Sequence, residues 1–140
     1  MIKTETTLRV RYGETDQMGF VYYGVYAQYY EVGRVECMRS LGFSYKEMEE
    51  SGVLMPVINL TVNYKKPALY DDEVRIVTMV KEIPGLRITF DYECYNQKNV
   101  LLNTGTVTLV FIDKQKNLSL IHISEPTRQA EISYAVFCLK

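Results

Sequence analysis

The sequence predicts an α+β fold in which a curved antiparallel five-stranded sheet wraps around one long helix. Apolar and polar residues alternate over 6–12, switch to a helical period over 23–41, and alternate again in four later stretches. A sheet with one apolar face needs a cover, and the 23–41 segment is the element long enough to supply it. A single sheet around one helix also leaves edges exposed, so pairing with further copies as a homodimer or tetramer is expected.

Each element has its own sequence reason. In 6–12, Leu8, Val10 and Tyr12 fall on one face and Thr7, Arg9 and Arg11 on the other. A loop follows over 14–22, with Gly13, Asp16 and Gly19 as its turn formers. Over 23–41, Tyr22, Tyr26, Tyr30, Gly33, Cys37 and Leu41 form an apolar stripe that Val25, Tyr29, Val32 and Val35 broaden. Glu31, Arg34, Glu36 and Arg39 are left as a narrow polar edge, with Gly42 as the stop. Ser44 and Glu47 make a capping box that opens a short helix ending near Gly52. The later strands are expected at 58–65, 73–83, 87–95 and 101–112, with a turn at Pro84-Gly85 and a hairpin at 96–99.

Composition bounds the rest. The chain has 140 residues, 16 basic against 17 acidic, for a net charge of -1. One domain fits that length, and the balance gives no general reason to bind nucleic acid or an anionic membrane. No apolar run approaches the roughly 20 residues of a membrane span, and the opening residues lack a secretory pattern. Three cysteines without a CxxC pair suggest a reduced, cytoplasmic setting and no zinc site.

Residues 118–140 break the pattern. LSLIHISEPTR and ISYAVFCL resemble translated sequencing-adaptor DNA, with Gln129, Ala130 and Glu131 between them where a sample index would sit. The expected domain is therefore 1–117, with 118–140 an adaptor-derived tail in place of the native C-terminus. On that reading His122, the one histidine, and Cys138 carry no functional information. A domain without histidine argues against Ser-His-Asp, Cys-His and most zinc chemistry, and no metal or other cofactor is expected.

The candidate chemistry lies before the long helix. Between Gly19 and Gly24 no Ser, Thr, Asp or Asn can cap the first helical amides, so those donors and the helix dipole face outward. Such a start suits a carbonyl oxygen or an anion. Asp16 sits a few residues upstream, and a carboxylate beside aimed backbone donors is minimal equipment for acyl transfer. On the residues alone, a turn or distant capping role for Asp16 is the favoured reading.

The segment RVRYGETDQMGFVYYGVYAQYYEVGRVECMRSLG resembles the opening of the hotdog-fold acyl-CoA thioesterases of the 4-hydroxybenzoyl-CoA thioesterase-like type. It is most similar to the bacterial subgroup associated with the Tol–Pal system. Thr15, Asp16, Gly19, Val21 and Tyr22, followed by Tyr26, Glu31 and Arg34, carry the likeness, and Tyr64, Pro67 and Asp71 extend it.

The resemblance implies hydrolysis of an acyl-CoA thioester to free acid and coenzyme A. Asp16 would act as nucleophile or general base, and an amide near Tyr23 would polarise the carbonyl. Gly19, Tyr22, Tyr23, Gly24 and Tyr26 would then contact substrate, and Lys65 and Lys66 are candidates for the coenzyme A phosphates. Glu31 is a possible second acid, though half of an ion pair with Arg34 is the favoured reading. Many relatives carry histidine at the position of Tyr23 and asparagine at that of Val25. The alternative function is a non-catalytic hotdog module that binds acyl-CoA or a partner protein.

Overall fold

The computed structural model describes residues 1–82 and 85–113, together with the backbone of Ser119 and Leu120. The segment Ile2–Arg9 forms β1, Val25–Ser40 is α1 and Tyr45–Glu50 is α2. They are followed by β2 (Val53–Leu54), β3 (Val57–Tyr64), β4 (Glu73–Val80), β5 (Arg87–Tyr95), β6 (Leu101–Val110), β7 (Ile112–Asp113) and β8 (Ser119–Leu120). Five strands make one antiparallel sheet in the order β1-β4-β5-β6-β3. A small second sheet, β2-β7-β8, was not anticipated, since two-residue strands leave no periodic signal.

The periodic signals translate into burial where both faces differ. In β5, Ile88, Phe90, Tyr92 and Cys94 are buried, as their alternation predicts. The β5–β6 hairpin turns where Asn96 Oδ1 accepts from the N–H groups of Lys98 and Val100, and Asn99 takes φ 61°. Ser44 caps α2 by accepting from the Glu47 N–H at 3.0 Å.

Packing of α1 onto the sheet depends on close approach. A Cβ on Gly33 would meet Ile76 Cγ2 at 2.9 Å, so only glycine lets the helix backbone lie on β4. The Tyr30 ring stacks on Tyr92 at 4.2 Å over Gly105 of β6, and its hydroxyl donates to Asn103 Oδ1 at 2.5 Å. Tyr26, Tyr29, Gly33, Cys37 and Met38 complete the buried side of α1, whereas Val32 is 39% exposed. The expected stripe is thus rotated slightly, because the covering sheet lies on one side of α1 within a single chain.

Two expectations need correction. The first strand begins at Ile2 and stops at Arg9, and Tyr12 is 78% exposed rather than on the core face. The chain leaves the strand because Tyr12–Glu14 forms a 3₁₀ turn, with the Thr15 N–H and Oγ1 both donating to the Tyr12 carbonyl. In β3, Ile58 and Leu60 stay exposed despite their alternation, since β3 is an edge with no further layer against it in one chain. The tail residues 121–140, with His122 and Cys138, and Pro84 of the expected turn lie outside the described residues.

Candidate active site

The loop between β1 and α1 folds back on itself. The Tyr22 N–H donates to the Glu14 carbonyl at 2.9 Å, Thr15 bridges Val21, and the Asp16 N–H donates to the Phe20 carbonyl at 2.8 Å. Gly19 closes the turn with φ +80°, a conformation a Cβ would strain, and its N–H donates to the Asp16 carbonyl. The carboxylate of Asp16 takes part: Oδ1 accepts from the N–H groups of Met18 at 2.9 Å and Phe20 at 3.2 Å. Oδ1 thus serves the turn, while Oδ2 makes no hydrogen bond among the described residues.

Helix α1 starts as anticipated, without a side-chain cap on Gly24. The Val25 N–H donates to the Tyr22 carbonyl at 2.9 Å, while the N–H groups of Tyr23 and Gly24 make no hydrogen bond among the described residues. Those two donors and the positive end of the helix dipole are available to an oxygen from outside.

Asp16 and Tyr23, which stands two residues ahead of α1, open on the same cleft of about 360 Å³, lined also by Met18, Phe20, Val21, Tyr26, Tyr64 and Pro67. Gly19, Tyr22 and Gly24 do not line it. Its walls are mainly apolar and aromatic. Lys65 and Lys66 stand at its rim with exposed side chains, their N–H groups anchored on the Leu102 carbonyl. Tyr26 lies on the buried side, and desolvation pushes its phenol up to about 12, so it stays neutral. Tyr22 and Tyr23 are exposed and pack ring on ring at 4.5 Å. Gly24 lies against Tyr22, whose ring a Cβ would meet at 3.0 Å.

Other candidates end up elsewhere. Glu31 is exposed and lines a separate pocket of about 280 Å³ with Arg34, Gln28, Val57 and Leu60. No Glu31–Arg34 ion pair forms among the described residues, because Arg34 turns inward to 7% exposure beside the hydroxyls of Tyr45 and Tyr92. Cys37 and Cys94 are buried free thiols. Burial raises both, Cys94 to about 12, so neither supplies a thiolate at neutral pH.

Residue reasoning passed over two contacts. The Tyr64 hydroxyl, at the end of β3, donates to the Tyr23 carbonyl at 3.0 Å and fastens the helix start to the sheet. Glu14 joins Arg11 to Tyr29, with Tyr29 Oη donating to Glu14 Oε1 at 2.9 Å. The Arg11–Glu14 spacing was a visible signal for half of that link. The Tyr29 half crosses 15 residues and needed the fold.

The fold thus sets an acidic side chain with one unbonded oxygen close to unbonded amides ahead of α1, beside a mainly apolar cleft. In comparison with known proteins, residues 18–103 match the thioesterase superfamily, and the chain belongs to that family. A putative acyl-CoA thioesterase of Bacillus subtilis is 38% identical over 77% of this chain and 78% of its own length. An acyl-CoA thioester hydrolase of Escherichia coli is 35% identical over 78% of this chain and 81% of its own. Among solved structures, a DHNA-CoA thioesterase from Staphylococcus aureus superposes with a TM-score of 0.87 at 37% identity, covering 96% of this chain and 90% of that one.

Proposed function

We propose that Asp16 and the backbone N–H groups of Tyr23 and Gly24 carry the hydrolysis of an acyl-CoA thioester to free acid and coenzyme A. The protein is a thioester hydrolase acting on acyl-CoA. The observation that carries our reading of its machinery is that Asp16 shares one cleft with Tyr23 and Tyr26, which flank the uncapped start of α1.

In that cleft the thioester carbonyl oxygen lies toward the Tyr23 and Gly24 amides. Asp16 Oδ2 faces the carbonyl carbon, to attack it or to deprotonate a water that does. A single well-placed oxyanion donor contributes about 3 to 4 kcal/mol to the transition state, and a positioned base about 100- to 10,000-fold in rate. A thioester is activated enough that these two suffice without a cofactor. Tyr23 and Tyr26 line the acyl side of the cleft, Gly19, Tyr22 and Gly24 support the loop and helix start without lining it, and Lys65 and Lys66 meet the coenzyme A phosphates at its rim.

The test is thiol release from acyl-CoAs of several chain lengths. Asp16→Asn keeps the loop's acceptor oxygen and should lower kcat by at least about 100-fold with the fold intact. Activity within a few-fold of wild type would remove Asp16 from this role. Absence of turnover by the wild type on every acyl-CoA would favour a binding module instead.

Three finer placements belong to the same reading. The opening motif supports the Tol–Pal-associated subgroup, and the free buried thiols support a cytoplasmic setting. Residues 118–140 we take to be adaptor-derived, which reading the gene past the Asn117 codon in a second clone checks.

A further inference from the structure

We propose that Glu14 is a positioning residue: it locks the Asp16 loop to α1 so that the carboxylate and the bare amides keep a fixed relation. The inference rests on the reading of Asp16 given above and adds a residue that does not itself line the cleft.

Glu14 sits at the base of the loop and is bonded from several sides. Its Oε1 accepts from the Arg11 N–H at 2.8 Å and the Tyr29 hydroxyl at 2.9 Å. Its Oε2 accepts from Arg11 Nη2 at 3.2 Å and Nε at 3.3 Å. Its carbonyl accepts from the Tyr22 N–H at 2.9 Å, the residue just before the uncapped helix start. The side chain is 13% exposed, and Tyr29 is 2% exposed. A nearly buried carboxylate with four donors has little rotamer freedom, and breaking one bond leaves a desolvated acceptor.

The consequence is geometric. Asp16 is held by its own loop, through Met18, Phe20 and Gly19. Hinging of that loop against α1 would part Glu14 from Tyr29, besides loosening the loop's anchors on Ala68 and Leu69. Tyr29 belongs to α1, so the Glu14–Tyr29 bond ties the carboxylate's platform to the helix whose amides it must face. A shift of about 1 Å between a catalytic group and its target can cost on the order of 100-fold in rate.

Four full-length variants test this with the acyl-CoA that the wild type turns over fastest and with its non-hydrolysable thioether analogue. Glu14→Ala should lower kcat by about 100-fold with KM nearly unchanged, and Tyr29→Phe by about tenfold. Glu14→Gln, which retains an acceptor for Arg11 and Tyr29, should recover most of the rate. Calorimetric titration with the analogue should give wild-type stoichiometry for all of them. Unchanged kcat in both Glu14→Ala and Tyr29→Phe would overturn the proposal. So would a rate loss matched by an equal loss of binding sites, or no recovery with glutamine. Asp16→Asn is measured alongside: if it is inactive while the Glu14 variants are unaffected, only the positioning role fails, whereas an active Asp16→Asn removes the site reading itself.

Discussion

Glu14 shows how one carboxylate's surroundings set its protonation. Burial pushes its pKa up, but the hydrogen bonds from Arg11 and Tyr29 and the Arg11 charge outweigh that, so it lies below the ordinary 4.5. A folded-state pKa below the unfolded one means the group adds stability above about pH 4.5 and loses that contribution as pH falls through the folded value. Thermal unfolding of wild type and Glu14→Gln between pH 7 and pH 3 therefore has a defined outcome. The wild type should lose more of its Tm on acidification than the variant does, the gap opening below about pH 4.5. Parallel curves would show that Glu14 is not held ionised. The turn that holds Asp16 was legible before the fold was known, because the spacing of Asp16 from Gly19 is local. The tie between Glu14 and Tyr29 was not, since neither residue carries a pattern that names the other.

Helix α1 illustrates a choice between propensity and packing. Alanine is favoured over glycine inside a helix by about 1 kcal/mol, which argues for stabilisation by Gly33→Ala. The added methyl would lie 2.9 Å from Ile76 Cγ2 and closer still to Thr78 Oγ1, both on β4 in the buried core. Overpacking of this kind costs about 1 to 3 kcal/mol, so packing wins and the variant should melt lower. A rise in Tm measured by circular dichroism would mean that β4 yields more readily than its burial implies. The helix itself was legible from its period, and its missing cap from the residues that precede it. Rotation about its axis was not, because the tyrosine-rich stripe is too wide to say which side meets the sheet. Val32 accordingly sits exposed while Arg34 is drawn in beside Tyr45 and Tyr92.

The sheet as a unit ends in two unlike edges. On β1 the exposed positions are Lys3, Glu5, Thr7 and Arg9, charged or polar residues that discourage strand addition. On β3 Val57, Ile58, Leu60 and Tyr64 are exposed, an apolar edge that invites a second copy. We expect the protein to sediment as a dimer or tetramer paired along β3, and Ile58→Lys to shift it toward monomer. A wild type that sediments as a monomer at micromolar concentration would refute this. The order of elements, the buried face of β5, the α2 cap and the acid beside a bare helix start all follow from short-range periodicity and turn chemistry, and these can be read along the chain. Which edge stays open, where Arg34 points, how Tyr64 reaches the Tyr23 carbonyl and how Glu14 meets Tyr29 depend on contacts between distant residues. Those contacts exist only once α1 has docked on the sheet, because the helix and the strands are each regular on their own and their mutual placement is set by packing at Gly33, Tyr30 and Gly105.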